Sequence, residues 1–148
     1  MNDKEAILLV EDNEDDVFLM RRAIEKAGIA NPLFVVEDGQ QAIDYLSGTE
    51  RFSDRTAFPL PALIFLDLKL PKKKGLEVLE WLRKEERLRR VVVLILTASQ
   101  EPNDLRRAYD LGVNSFLVKP SKVERLEALM TAVKDYWLEF NMFDSTRG

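Results

Sequence analysis

Residues 63–75 read Leu63-Ile64-Phe65-Leu66-Asp67-Leu68-Lys69-Leu70-Pro71-Lys72-Lys73-Lys74-Gly75. The apolar run Leu63–Leu66 stops abruptly at Asp67, the pattern of a short strand buried on both faces. Gly75 then opens a helix with Leu76, Leu79 and Leu82 on one side. The same unit, an apolar run closed by a polar residue and followed by helical spacing, recurs in both directions. Upstream, Ala6-Ile7-Leu8-Leu9-Val10 ends at Glu11, and Val17, Met20, Ile24 and Ala27 follow at three- and four-residue intervals until Gly28. Leu33–Val36 is a second strand, and Gln40 to Leu46 a short helix. Downstream, the β-branched run Val91–Leu96 ends at Thr97, and Leu105, Ala108 and Leu111 mark a helix stopped by Gly112. Ser115–Val118 is a fifth strand ending at Lys119-Pro120. A last helix carries Val123, Leu126, Met130, Val133 and Trp137.

Five strands alternating with five helices is the βαβ pattern of a parallel sheet covered on both sides. Right-handed crossovers make it a doubly wound α/β sandwich, in which ligands bind outside the carboxyl ends of the strands. The residues just past the strands are therefore the candidates for function: Glu11 and Asp12, Asp67, Thr97 and Lys119.

Composition narrows the chemistry they can perform. The 148 residues include no cysteine and no histidine. Disulfides, thiol nucleophiles, the usual zinc sites and the Ser–His–Asp triad are thus excluded, leaving carboxylates, lysines, hydroxyls and backbone groups. A net charge of −4 offers no basic field for a nucleic-acid backbone. No apolar run approaches the roughly 20 residues that span a bilayer, and the N-terminus is no export signal, which favours the cytoplasm. The length favours one domain over residues 1–148.

The segment Glu11-Asp12-Asn13-Glu14-Asp15-Asp16 is too anionic to cradle a phosphate, so flavin and dinucleotide sites are disfavoured. It asks for a cation instead. Two carboxylates about 4 Å apart repel by roughly 4 kcal/mol at an effective dielectric of 20, and Lys119 offsets only part of that. A hard divalent ion with carboxylate and water ligands fits, Mg²⁺ best if a phosphoryl group completes its shell. A calcium-loop spacing fails, because the required Gly is Val17 and the final Glu is Ala23. Asp15 and Asp16 read as first-turn acids complementing a helix dipole and are left outside the site. Taken singly, Thr97 is an ordinary helix cap and Lys119 a surface lysine. It is their convergence on one rim that points to function.

These residues resemble the receiver domains of two-component response regulators. The resemblance rests on Leu9-Val10-Glu11-Asp12-Asn13, on Phe65-Leu66-Asp67-Leu68-Lys69-Leu70-Pro71 with Gly75, on Leu96-Thr97-Ala98 and on Phe116-Leu117-Val118-Lys119-Pro120, and it runs from about Ile7 to the last helix. It implies a flavodoxin-like fold with strand order 2-1-3-4-5 and, since the chain ends soon after the fifth helix, a stand-alone receiver without an output domain. It implies that Asp67 accepts a phosphoryl group from a histidine of a partner sensor kinase, a signalling role and not that of an enzyme beyond self-catalysed phosphorylation and dephosphorylation. Asp12, Asp67 and the backbone carbonyl of Lys69 would hold Mg²⁺, with Mn²⁺ as a substitute and Glu11 acting directly or through water. Thr97 would bond one phosphoryl oxygen and Lys119 another, and the Lys119–Pro120 peptide would be cis. Phe116 stands at the family's aromatic switch position. Lacking a hydroxyl, it would follow Thr97 through packing alone, and the plain alternative is a core phenylalanine.

Three departures stand out. Glu11 holds a position often occupied by Asp. Lys69 puts a cation at the mouth of the site, where it either affects water attack on the aspartyl phosphate or is merely solvated. The run Lys72-Lys73-Lys74 is either a solvated loop or a steering patch for an acidic partner. Two further features, the long segment Ser47–Ala62 with Phe52, Phe58, Pro59 and Pro61, and the aromatic tail Tyr136–Phe143, resemble the small receivers that accompany bacterial and cyanobacterial phytochrome kinases. The tail suggests a homodimer through the fourth helix, fifth strand and fifth helix, with packing on its own domain as the rival reading. A phosphatase with an aspartyl nucleophile fits poorly, because that class wants its nucleophile after the first strand and a second Asp two residues on. A degenerate receiver acting as a scaffold is disfavoured because every rim residue is present. The downstream protein is not legible in the sequence.

Overall fold

The structure, a computed structural model, describes residues 5–144. Strands β1 (Ala6–Val10), β2 (Leu33–Val36), β3 (Pro61–Leu66), β4 (Val92–Thr97) and β5 (Ser115–Val118) form one parallel sheet in the order β2-β1-β3-β4-β5. Five α-helices alternate with them: α1 (Glu14–Lys26), α2 (Gly39–Ser47), α3 (Gly75–Lys84), α4 (Pro102–Asp110) and α5 (Val123–Val133). Both the class and the strand order agree with the expectation. β3 begins at Pro61, two residues before the apolar run suggested. A proline missing its N–H is tolerated at the first residue of a strand.

The period-2 alternation of the strands divides the interior into two cores. Leu8, Val10, Ile64, Leu66, Val93 and Ile95 face one way and pack with Tyr45, Val78, Leu79, Leu82 and Ala108 of α2, α3 and α4. Ile7, Leu9, Leu63, Phe65, Leu94 and Leu96 face the other way, onto Met20 and Ile24 of α1 and Leu126, Met130 and Val133 of α5. All three central strands are buried on both faces, which is why they read as unbroken apolar runs.

The long α2–β3 connection is packed, with Phe52 and Phe58 each 5–6 Å from a neighbouring ring of the Tyr45 cluster. Arg55 locks the connection to the end of α2 by donating to the carbonyls of Tyr45 (2.7 Å), Leu46 (2.8 Å) and Phe58 (3.1 Å), and the Tyr45 hydroxyl donates to the Pro59 carbonyl at 2.8 Å.

The last helix departs from simple α periodicity. After Val133 it widens into π-type turns over Lys134–Phe140, closed by Asn141 N–H donating to the Tyr136 carbonyl at 2.8 Å. Widening shifts the phase of the buried face, so Leu138 is buried where α spacing predicts Trp137, which is only half-buried against the α1–α5 core. Phe143 also packs on that core, and Asp144 meets Arg90 at 3.1 Å, so the end of the tail lies on its own domain. Tyr136, Phe140 and Met142 remain exposed.

Candidate functional site

Backbone hydrogen bonds between neighbouring strands place the rim residues. Glu11 N–H donates to the Val36 carbonyl (3.0 Å), Asp67 N–H to Val10 (3.2 Å) and Lys119 N–H to Thr97 (2.8 Å). Each charged residue is thus the first beyond its strand, tied to the last carbonyl of the strand beside it. The turn after Asp67 is just as constrained. Gly75 N–H donates to the Leu68 carbonyl at 3.0 Å, and a Cβ at Gly75 would lie 2.3 Å from the Asp67 carbonyl oxygen. Only glycine lets α3 start this close to the Asp67 backbone. Lys72, in the same turn, adopts a left-handed backbone (φ 66°), and its ammonium lies 3.8 Å from Asp38, the N-cap of α2.

At the centre lies Lys119. Its three ammonium hydrogens meet three carboxylates: Glu11 Oε1 at 2.6 Å, Asp16 Oδ2 at 2.9 Å and Asp67 Oδ2 at 3.3 Å. Glu11 and Asp67 are buried, whereas Asp12 is exposed. The other Glu11 oxygen accepts from Asn13 N–H (3.2 Å), and Asp67 Oδ1 accepts from Lys69 N–H (3.4 Å). Burial raises the Glu11 pKa above the ordinary carboxyl value; its bond to Lys119 offsets part of the rise, and the Asp67 charge adds to it. For Lys119 burial works downward, but the bonds and charges of Glu11, Asp16 and Asp67 outweigh it and hold its pKa above that of an ordinary lysine. Both effects have one origin, the gathering of several carboxylates around one cation in a poorly solvated place.

Glu11, Asp12 and Asp67 each bring a carboxylate oxygen within 4.8 Å of the other two. Three hard oxygen donors this close, flanked by Lys119, suit a small divalent cation. Thr97, at the end of β4, is fully buried, and its hydroxyl oxygen accepts from Ser99 N–H at 3.3 Å. Ser99 in turn donates to Asp104 of α4 at 2.9 Å, which ties the loop after Thr97 to the next helix. Phe116 is half-buried and packs against the α2–α3–α4 core. Beside Lys119, a cavity of about 60 Å³ is lined by Glu11, Asp16 and Asp67 together with apolar side chains such as Met20, Phe65 and Leu126.

Two expectations need correction. No cis peptide occurs among the described residues, so the Lys119–Pro120 bond is trans. Trans is the lower-energy isomer of X–Pro bonds by about 0.5–1 kcal/mol, and with it Lys119 already reaches all three carboxylates. Asp16, set aside as a helix-dipole acid, instead reaches across to Lys119. Its local sequence gives no sign of this: Asp16 stands in the first turn of α1, where the Asn13 side chain caps the helix by accepting from Asp16 N–H at 3.0 Å.

A doubly wound sheet of this order, with an acid pair, a third carboxylate, a buried threonine and a lysine at its carboxyl edge, defines a class. The family model for the response regulator receiver domain matches residues 7–131, and the chain belongs to that family. The family's role is phosphoacceptance in two-component signal transduction, and its members bind divalent metal. Three relatives stand out. A probable methanogenesis regulatory protein, FilR2 of Methanothrix harundinacea, is 43% identical, covering 91% of this chain and 84% of its own. The response regulator Rcp1 of Synechocystis is 34% identical, covering 93% and 92%, and its Mn²⁺-bound crystal structure superposes with a TM-score of 0.86. The crystal structure of the phosphorylated cyanobacterial phytochrome response regulator RcpA is 32% identical, covers 96% and 99%, and has a TM-score of 0.89. Among the described residues no helix is long and apolar enough to cross a membrane.

Proposed function

We propose that Asp67 is the phosphoacceptor and that this chain works as a single receiver domain, switching its protein partners when phosphorylated. The observation that carries the reading is the position of Asp67: buried, at the end of β3, within bonding distance of Lys119 and beside two further acids. A carboxylate oxygen of Asp67 attacks the phosphorus of a phosphohistidine on a sensor kinase. The O–P bond forms as the P–N bond breaks, and the electron pair returns to the imidazole nitrogen, which takes a proton from solvent. This chain has no histidine, so the imidazole belongs to the partner. Lys119 and Thr97 orient and neutralise the phosphoryl oxygens, so the chain's contribution is positioning and charge, as phosphoryl transfer requires.

Asp12, Asp67 and the Lys69 carbonyl would hold Mg²⁺, with Mn²⁺ as a substitute; the ion supplies positive charge beside the transferring oxygens. Both Glu11 oxygens already accept from protein donors, which favours contact through water. On this reading the chain is no enzyme beyond its own phosphorylation and dephosphorylation. Its likeness to the cyanobacterial phytochrome response regulator RcpA supports a phytochrome kinase as donor. Leu105, Tyr109, Val118 and Val123, exposed on α4, β5 and α5, support a homodimer through that face.

Incubation with a small phosphodonor and Mg²⁺, followed by intact mass, tests the central role: one acid-stable, base-labile phosphoryl adduct, lost in Asp67→Asn. An adduct that persists in Asp67→Asn refutes it. Sedimentation of Phe140→Ala against the parent, with and without a phosphate mimic, tests the part of the tail: weakened association supports a tail-assisted dimer through that face, and unchanged association supports packing of the tail on its own domain.

A further inference from the structure

We propose that Asp16 is a positioning residue that restrains Lys119 and so sets how much of its charge reaches a phosphoryl group on Asp67. The inference rests on the phosphoacceptor role of Asp67 and extends it to a residue outside the family motifs quoted above.

The geometry is a competition for one ammonium. Lys119 has three donors and all three are engaged, at 2.6 Å to Glu11, 2.9 Å to Asp16 and 3.3 Å to Asp67. The first two distances lie within or below the usual 2.7–2.9 Å of charge-assisted bonds, and the third lies outside it. The ammonium is therefore held toward the first strand and α1, and the acceptor has its weakest bond. The Asp16 backbone is fixed by the Asn13 cap (3.0 Å), so its carboxylate is presented by a rigid first turn. The cavity of about 60 Å³ beside Lys119 is lined by Glu11, Asp16 and Asp67 together with apolar side chains, so open space adjoins the three carboxylates that compete for the ammonium.

When Asp67 carries a phosphoryl group, more negative charge gathers on its side of Lys119. Asp16 then opposes the phosphoryl group as a rival acceptor for the ammonium. Glu11 cannot take over this role freely, because it is also drawn on by the cation site. Asp16 is half-exposed, whereas Glu11 and Asp67 are buried, so its substitution perturbs packing least.

The test uses beryllofluoride, a non-covalent mimic of the acyl phosphate, titrated into the full chain at saturating Mg²⁺. Mg²⁺ affinity and melting temperature are measured separately for every variant. Asp16→Asn is expected to bind beryllofluoride about fivefold more tightly than the parent, the scale of a partly exposed ion pair, and Asp16→Glu to return toward the parent affinity. Asp15→Asn removes the same charge from the same exposed helical turn without a bond to Lys119, and is expected to leave the affinity within twofold of the parent. In a Lys119→Gln background the gain from Asp16→Asn should vanish. An unchanged affinity in Asp16→Asn overturns the proposal, as does an equal gain in Asp15→Asn or a gain that survives Lys119→Gln, since the last two mark a general charge effect. If the parent itself binds no beryllofluoride, the acceptor reading fails and this inference falls with it.

Discussion

Lys119→Met removes the only cation bonded to Glu11 and Asp67 among the described residues while keeping the apolar stem. Glu11, Asp12 and Asp67 place carboxylate oxygens up to 4.8 Å apart, a separation at which a pair repels by about 3.5 kcal/mol at an effective dielectric of 20. An ammonium 3.3 Å from Asp67 attracts it by about 5 kcal/mol in the same medium, so one lysine offsets more than one such repulsion. These gross values are reduced by water at exposed Asp12 and half-exposed Asp16. Breaking a buried pair from one side costs about 3–5 kcal/mol, and an open rim puts this site at the lower end, about 3 kcal/mol. For a chain of 148 residues that lowers the melting temperature by roughly 6–12 °C at neutral pH.

The pH dependence has a definite sign. A carboxyl whose folded pKa is raised penalises folding above that pKa, and the penalty fades as pH falls toward its ordinary value of 4.5. Without Lys119 the Glu11 pKa rises further, so the gap between variant and parent narrows on acidification from pH 7. Mg²⁺ meets less competing charge in the variant and binds about tenfold more tightly, a gain of about 1.4 kcal/mol. Differential scanning calorimetry between pH 5 and 7.5, with Mg²⁺ titrated by isothermal calorimetry, measures both. An unchanged melting temperature together with unchanged Mg²⁺ affinity refutes the charge-balance reasoning.

Gly75→Ala should cost about 1–3 kcal/mol in urea denaturation, because its Cβ would sit 2.3 Å from the Asp67 carbonyl oxygen and the turn must shift; a loss below 0.5 kcal/mol, about the size of an ordinary surface change, would contradict that close approach. Burial pushes the Tyr45 pKa from 10.0 up to about 12, with Arg55 pulling slightly the other way, so the folded state favours the neutral phenol. Its contribution is complete below pH 10 and is lost as pH rises through about 12, so the advantage of the parent over Tyr45→Phe, about 1 kcal/mol at pH 7, should shrink across that interval. A constant gap would mean the phenol does not titrate there. Lys69→Ala should speed hydrolysis of the aspartyl phosphate a few-fold by uncovering the mouth of the site. An unchanged decay of the phosphorylated mass leaves Lys69 a solvated side chain that offers only its backbone.

The strands and rim were legible because burial on both faces leaves a clear mark: an apolar run that must stop where water begins. Asp67, Thr97 and Lys119 were found as stopping points, without knowledge of the residues they would meet. Asp16 was not legible in the same way. An acid in a first helical turn has a sufficient local explanation, and its partner Lys119 lies 103 residues away. The exchange of Trp137 for Leu138 on the buried face was equally illegible, since the π-type widening over Lys134–Phe140 shifts the buried face and leaves no periodic trace. The cis peptide was carried by resemblance alone, and no residue pattern supported it independently. Within the tail, Leu138 and Phe143 return to the domain, while Phe140 stands in solvent.

The central claim is that one particular carboxylate takes the phosphoryl group. Borohydride reduces an aspartyl phosphate to homoserine and leaves free carboxylates intact, so reduction after phosphorylation, followed by peptide mass mapping, reads the acceptor directly. The account predicts homoserine at position 67 alone, dependent on Mg²⁺. Homoserine at Asp12 or Asp16, or none in a preparation that carries the phosphoryl adduct, would contradict it.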